Sequence, residues 1–174
     1  DLLYPSYGDS YPMFNGAIGM TIEQGGGGQA GRGGFNAVGD TVTLSYRIEG
    51  HYTAAMSAAE VTSQNASKLL EQFAKFYKEN STNPKGKYKS FVIKGESNPA
   101  QIAKLLELLD KNGIRYGKAG SKSGLRGFEY QSGKSAAFST TDKDIVISAY
   151  QPKSVLAQVF FEPNPQLNDS ITYD

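Results

Sequence analysis

The stretch from Phe91 to Tyr116 constrains the fold more than any other part of the chain. Phe91-Val92-Ile93 reads as a short buried strand. Asn98 follows as a helix N-cap with Pro99 at the first helical position, where no backbone N–H is needed. Ile102, Leu105, Leu106 and Leu109 recur at helical spacing, and Asn112-Gly113 supplies a C-cap. Ile114 to Tyr116 then starts a second strand. A strand–helix–strand unit this short implies a parallel strand pair, and so a mixed α/β fold.

The residues that follow continue the pattern. Phe128 to Gln131, Ala136 to Ser139 and Asp144 to Ala149 are strand-like, with hairpin turns at Ser132-Gly133 and Asp142-Lys143. Pro152 opens a final helix through Val155, Leu156, Val159 and Phe160, which Pro163 stops. No internal repeat is visible.

Upstream the signals are different. Residues 1–16 are rich in turns: Tyr4-Pro5, Tyr7-Gly8-Asp9, Tyr11-Pro12 and Asn15-Gly16. Ala17 to Glu23 reads as a short buried strand that ends on a carboxylate, and Gly25 to Gly34 is a glycine loop. Thr41 to Leu44 alternates and suggests another strand. From about Arg47 to Lys78 the chain is rich in Ala, Glu, Gln and Lys without proline, which predicts one long helix. Leu69, Leu70, Phe73, Phe76 and Tyr77 give it an apolar face, and Pro84 with Gly86 closes it. The chain therefore divides into a terminal segment at 1–46, a connecting helix at 47–83 and a small α/β accessory domain at 84–174. The sequence opens on Asp1-Leu2-Leu3-Tyr4 without a signal peptide, and reads as a piece of a longer protein.

Composition narrows the function classes. The 174 residues make one medium domain or two small ones. A net charge of +1 argues against general electrostatic binding of nucleic acid. The absence of cysteine removes disulfides, thiolate catalysis and cysteine zinc sites. No apolar run approaches the roughly 20 residues of a membrane span.

Several local patterns have an ordinary structural explanation. Arg32 among glycines suggests an RNA-binding arginine–glycine tract, but one arginine in a nearly neutral chain reads better as a loop. Gly133-Lys134-Ser135 resembles the end of a phosphate loop, yet position 128, where that pattern needs glycine, is Phe. A hairpin turn fits better. His51 is the only histidine and cannot build a three-ligand zinc site. Asn65, Asn80 and Asn168 match the glycosylation pattern, which is common by chance. Glu23 stands out. A carboxylate at the end of a buried strand needs a partner, a cation or a cleft. With the tyrosines at 4, 7 and 11 upstream, it makes a possible general base and hydrogen-bond donor pair.

Tyr4-Pro5-Ser6-Tyr7-Gly8-Asp9-Ser10-Tyr11-Pro12 followed by Gly16-Ala17-Ile18-Gly19-Met20-Thr21-Ile22-Glu23-Gln24 resembles the last part of the catalytic domain in bacterial zinc carboxypeptidases of the carboxypeptidase A type. The likeness is greatest to large multidomain members from Bacteroidetes. It extends through Gly39-Asp40-Thr41, His51-Tyr52-Thr53, Gln151-Pro152-Lys153-Ser154 and the final Asp169 to Asp174. The resemblance implies that residues 1–46 end a peptidase α/β domain and that Glu23 is the catalytic general base. It implies that Tyr4, with Tyr7 as runner-up, is the mobile tyrosine covering a peptide substrate. The family's His-x-x-Glu motif and second histidine are absent, so zinc would be held by an upstream catalytic domain of the same protein and this piece alone would be inactive. A periplasmic or extracellular setting is implied as well. The alternative is an accessory, non-catalytic module that binds peptide or glycan in a degenerate peptidase, with Glu23 structural.

Overall fold

The computed structural model describes residues 7–23 and 33–165. Tyr4, most of the glycine loop and the final Asp169 to Asp174 lie outside them. The chain is a mixed α/β fold of helices and small antiparallel sheets. In order come α1 (Ser10–Met13), β1 (Gly34–Phe35), β2 (Thr41–Val42), α2 (Leu44–Gln64), α3 (Ala66–Thr82) and β3 (Ser90–Ile93). Then follow α4 (Pro99–Lys111), β4 (Gly117–Lys118), β5 (Lys122–Glu129), β6 (Lys134–Thr140), β7 (Ile145–Ser148) and α5 (Ser154–Phe161).

The second half is built around a three-stranded sheet in the order β3-β7-β4. Both β3 and β4 run antiparallel to β7, so they share a direction without touching. This corrects the expected parallel pair. The crossover through α4 is present, but β7 inserts between its two strands and takes the ladder hydrogen bonds of both. Phe91 pairs with Ile147 and Ile93 with Ile145, which puts four apolar side chains on one sheet face. Leu109 of α4 and Leu156 and Ala157 of α5 close over that face, and Ile114 fills the corner after α4. Leu109, Ile147 and Leu156 are 0% exposed.

Local chemistry fixes the ends of these elements. The Asn98 side chain accepts from the Ala100 N–H at 2.9 Å and from the Gln101 N–H at 3.4 Å, the cap the sequence predicts. After α4, Gly113 takes φ +66°, a left-handed conformation suited to glycine. Gln151 is buried and acts as a backbone substitute. Its amide accepts from the Arg115 N–H at 2.7 Å and donates to the Arg115 carbonyl at 3.0 Å.

The β5–β6 hairpin turns at 130–133, with Gly133 at φ +66° and Lys134 opening β6. Gly133-Lys134-Ser135 is thus a hairpin turn and the start of a strand.

The first half departs from expectation at two places. The predicted single helix is two, because Asn65 interrupts it. Its side chain donates to the Val61 carbonyl at 2.9 Å, competing with the helical ladder, and its backbone leaves helical geometry at φ −109°, ψ 16°. The predicted buried strand at Ala17 to Glu23 is neither buried nor a strand. It forms no ladder, and Ile18, Met20 and Ile22 are 65%, 58% and 44% exposed. An apolar alternation specifies a strand only when a neighbouring strand offers its edge. Among the described residues none does.

Residues 11–16 dock onto both α3 and the second half. The Tyr11 hydroxyl donates to Asn112 Oδ1 at 3.0 Å, and the Tyr77 hydroxyl donates to the Asn15 carbonyl at 2.9 Å. Lys153 Nζ donates to Asn15 Oδ1, and Phe14 packs against the core. Gly16 has φ +77°, and a Cβ there would stand 2.7 Å from the Phe76 ring.

Candidate functional site

Among the described residues two places stand out as candidate sites, and they are built differently. The first is the segment leading to Glu23. Gly19 lies so close to the Asp9 backbone that a Cβ would sit 1.6 Å from the Asp9 carbonyl oxygen. Two residues on, the Thr21 hydroxyl donates to Asp9 Oδ2 at 2.7 Å. The bond from Thr21 is the main reason that the Asp9 carboxyl titrates below its ordinary value. Asp9 therefore holds the segment through Thr21, close beside Gly19, and Glu23 extends past that bond, exposed and without hydrogen bond or ion pair among the described residues.

Tyr7 lies before α1 and is exposed, and its carbonyl accepts from the Tyr11 N–H at 2.9 Å. No hydrogen bond or ring contact joins it to Glu23. Tyr4 lies outside the described residues. His51 is exposed within α2, not at a helix start. Asn80 is buried in α3, which is incompatible with a glycan on the folded chain, whereas Asn65 is exposed and Asn168 lies outside the described residues. Among the described residues no three His, Cys, Asp or Glu side chains gather where a metal could bind.

The second place went unnoticed in the sequence. A groove of about 640 Å³ runs between β3 and the β5–β6 hairpin. One wall is the unbroken run from Lys87 to Lys94, and the other is formed by Arg126 to Gln131 and Ala136 to Phe138. Its apolar lining includes Tyr88, Phe91, Phe128, Tyr130, Phe138 and Phe161. The rings of Phe128 and Tyr130 meet edge to face at 5.6 Å, Tyr88 tilts toward Phe128 at 6.1 Å, and Phe91 stacks on Phe161 at 5.1 Å. The Tyr130 hydroxyl donates to the Phe161 carbonyl, which ties the hairpin to the end of α5. Burial and the nearby Glu162 carboxylate push the Tyr130 phenol above its ordinary pKa, so it keeps this proton.

The groove's charge is mostly positive. Lys87, Lys89, Lys94 and Arg126 line it, against Glu129. The Glu129 carboxylate is occupied by the hairpin turn. It accepts from the N–H groups of Gln131 at 2.8 Å and Ser132 at 2.7 Å, and Ser132 chiefly holds its pKa down. Lys87 Nζ lies 5.4 Å from the centre of the Tyr88 ring, a cation–π distance. Lys89 Nζ donates to the carbonyls of Pro84 and Gly86. Lys94 pairs with Asp144.

Asp144 anchors one end of this wall. Its carboxylate is buried, accepts from the Gly95 N–H at 2.8 Å and the Thr141 N–H at 3.0 Å, and receives the Lys94 ammonium. Burial by itself raises the Asp144 pKa, but Lys94 and the two N–H groups outweigh it and hold the carboxyl below its ordinary value. Asp144 thus fixes the end of β3 and, with it, the line of the groove.

Sequence reading missed the groove because its residues come from four separate stretches. The available signal was the alternation of Lys87, Tyr88 and Lys89 beside that of Arg126, Phe128 and Tyr130. Such patterns mark strands with one wet face and do not say which strands face each other. Among the described residues no helix is long and apolar enough to cross a membrane. The chain matches no family model, no curated protein and no solved structure.

Proposed function

We propose that this chain is the C-terminal part of a zinc metallocarboxypeptidase, with Glu23 as its general base and residues 84–165 as an accessory α/β module. The observation that carries this reading is the segment from Ala17 to Glu23. It has the period-two apolar pattern of a strand, its apolar side chains are in solvent, and it ends on a carboxylate that has no partner among the described residues. Such a segment gains most from joining a sheet supplied by another domain. Helix α2 supports the same reading. None of its residues is buried, although Leu44, Ile48, Tyr52 and Met56 recur every four residues. Both elements would pack against the upstream catalytic domain.

Among the described residues no cluster fits a catalytic zinc, and His51 is the one histidine of the chain. In this reading the metal belongs to the upstream domain, where it would supply Lewis-acid chemistry. Glu23 would take a proton from the attacking water and hand it to the departing amine. The phenol of Tyr4 or Tyr7 would donate a hydrogen bond to the peptide substrate. The work would be done in the periplasm or outside the cell.

The test is peptide hydrolysis by the full-length protein, with Glu23→Gln compared with wild type at equal metal content. A fall in kcat of about 10²–10⁴-fold or more supports the assignment. Equal rates would make Glu23 structural. Inactivity of both would favour the second reading, a non-catalytic binding module, for which the groove beside β3 is the specific observation.

A further inference from the structure

We infer that the groove along β3 is a docking site for an acidic peptide in extended conformation, which binds by adding a strand to the free edge of the β3-β7-β4 sheet. The inference is independent of any catalytic role of Glu23.

The argument starts from the ladder. The Ala149 N–H donates to the Lys89 carbonyl at 2.9 Å, which makes that pair a hydrogen-bonded one. Antiparallel pairs alternate, so Lys89, Phe91 and Ile93 direct their N–H and C=O groups toward β7. Ser90 and Val92 therefore direct theirs outward, to the groove side. Among the described residues no partner takes these outward groups. They repeat at about 6.6–6.8 Å, the two-residue step of an extended chain. A guest strand would satisfy them, as in other cases of strand addition to a sheet edge.

The walls fit the same guest. A strand's side chains alternate, so one set would lie among Tyr88, Phe128 and Tyr130 and the other would point toward solvent. The rings are edge-on or tilted to one another, at 87° for Phe128–Tyr130 and 52° for Tyr88–Phe128. They form pockets for single side chains and offer no flat platform on which a sugar ring would stack.

Charge selects the sign of the guest. Lys94 is neutralised by Asp144, Glu129 is committed to its turn, and Glu162, the carboxylate near Tyr130, accepts from the Asn164 N–H at 3.2 Å at the far end of the groove. Lys87 and Arg126 remain without a carboxylate partner among the described residues, while Lys89, tied to the Pro84 and Gly86 carbonyls, adds its charge to the same wall. Arg126 is exposed and lines the groove on the hairpin wall. A peptide with glutamate or aspartate at alternate positions would meet these cations from both walls. Natural edge strands are often protected by lysine, and here the same lysines would reject basic or neutral aggregating partners while admitting an acidic one.

The experiment is fluorescence anisotropy with the full chain and an end-blocked heptapeptide of alternating glutamate and valine. Saturable binding is expected, weakening as salt rises. The lysine–valine counterpart should bind at least about tenfold more weakly, given the like-charge penalty. Methylating alternate backbone nitrogens of the glutamate peptide should weaken binding by roughly tenfold per lost hydrogen bond. Arg126→Glu, a surface change, should weaken it similarly. Val92→Pro, which removes one outward N–H from an edge strand, should do the same while circular dichroism stays unchanged.

No binding at millimolar peptide would overturn the proposal, as would equal affinity for the lysine or the N-methylated peptide. Binding of an anionic oligosaccharide in preference to the peptide would also overturn it. If peptide binds only after Ile171 and Tyr173 are both replaced by Lys, the chain's own residues 166–174 are the occupant and the proposal fails.

Discussion

The two halves of this molecule treat their apolar residues in opposite ways. Residues 84–165 fold Phe91, Leu109, Ile114, Ile147 and Leu156 into one core beneath two helices. Residues 17–64 leave Ile18, Met20, Ile22, Leu44, Ile48 and Met56 in solvent, although their spacing is as regular as that of the core. Burial of such side chains contributes roughly 1.5–3 kcal/mol each, so leaving a whole set exposed forgoes a large stabilisation. Regular apolar spacing is therefore only half a specification. The second half holds both partners of each contact. The first half holds one partner and, in the reading proposed here, finds the other on the catalytic domain it belongs to.

Substitutions can break this contrast. The largest effect is expected in the core. Leu109→Ala should cost about 2–5 kcal/mol in urea unfolding, because the site is enclosed and cannot collapse fully. Ile18→Ser or Met56→Ser, equally drastic by sequence, should stay within about 0.5 kcal/mol in the same assay. A large loss at Met56 would mean that α2 buries a face after all.

The next largest effect is expected at Asp144. Asp144→Asn removes the charge that pairs with Lys94 and should cost about 1–3 kcal/mol near neutral pH. Its pH dependence sharpens the assignment. The folded pKa of Asp144 is depressed, so its contribution is present above the unfolded carboxylate value and is lost as pH falls through the folded one. Wild type should lose stability in acid more steeply than Asp144→Asn, and unfolding midpoints from neutral pH down to about pH 2 would show the two curves converging.

A smaller effect is expected at Thr43, whose side chain accepts from the Tyr46 N–H at 3.1 Å and caps α2. Thr43→Ala should cost about 1 kcal/mol of local helix stability. Because no residue of α2 is fully buried, the loss should appear as faster amide exchange in α2 while the unfolding midpoint of the core hardly moves.

Much of the second half was legible in its residues. Asn98-Pro99 and Asn112-Gly113 set the ends of α4 through backbone chemistry that needs no knowledge of the rest of the fold. Strand order was not legible, because nothing in Ile145 to Ser148 states that it will lie between β3 and β4. The break at Asn65 was hidden because one asparagine costs a helix little and acts only through its bond to Val61. Of the site residues, Glu23 drew notice as a carboxylate closing an apolar run, and the structure places it in solvent on a segment held by Asp9. The groove was illegible because it arises from the meeting of β3 with a hairpin some thirty-five residues further along.

The central claim is that residues 17–23 and helix α2 are complete only when packed on another domain. Hydrogen exchange compares this directly, with the chain alone set beside the full-length protein. Amides at 17–23 should exchange freely in the chain alone, those along the Leu44–Ile48–Tyr52–Met56 face should carry only the modest protection of an isolated capped helix, and both sets should become strongly protected in the full-length protein, while those of β3, α4 and β7 stay the same. Equal protection of 17–23 and α2 in both would contradict the claim.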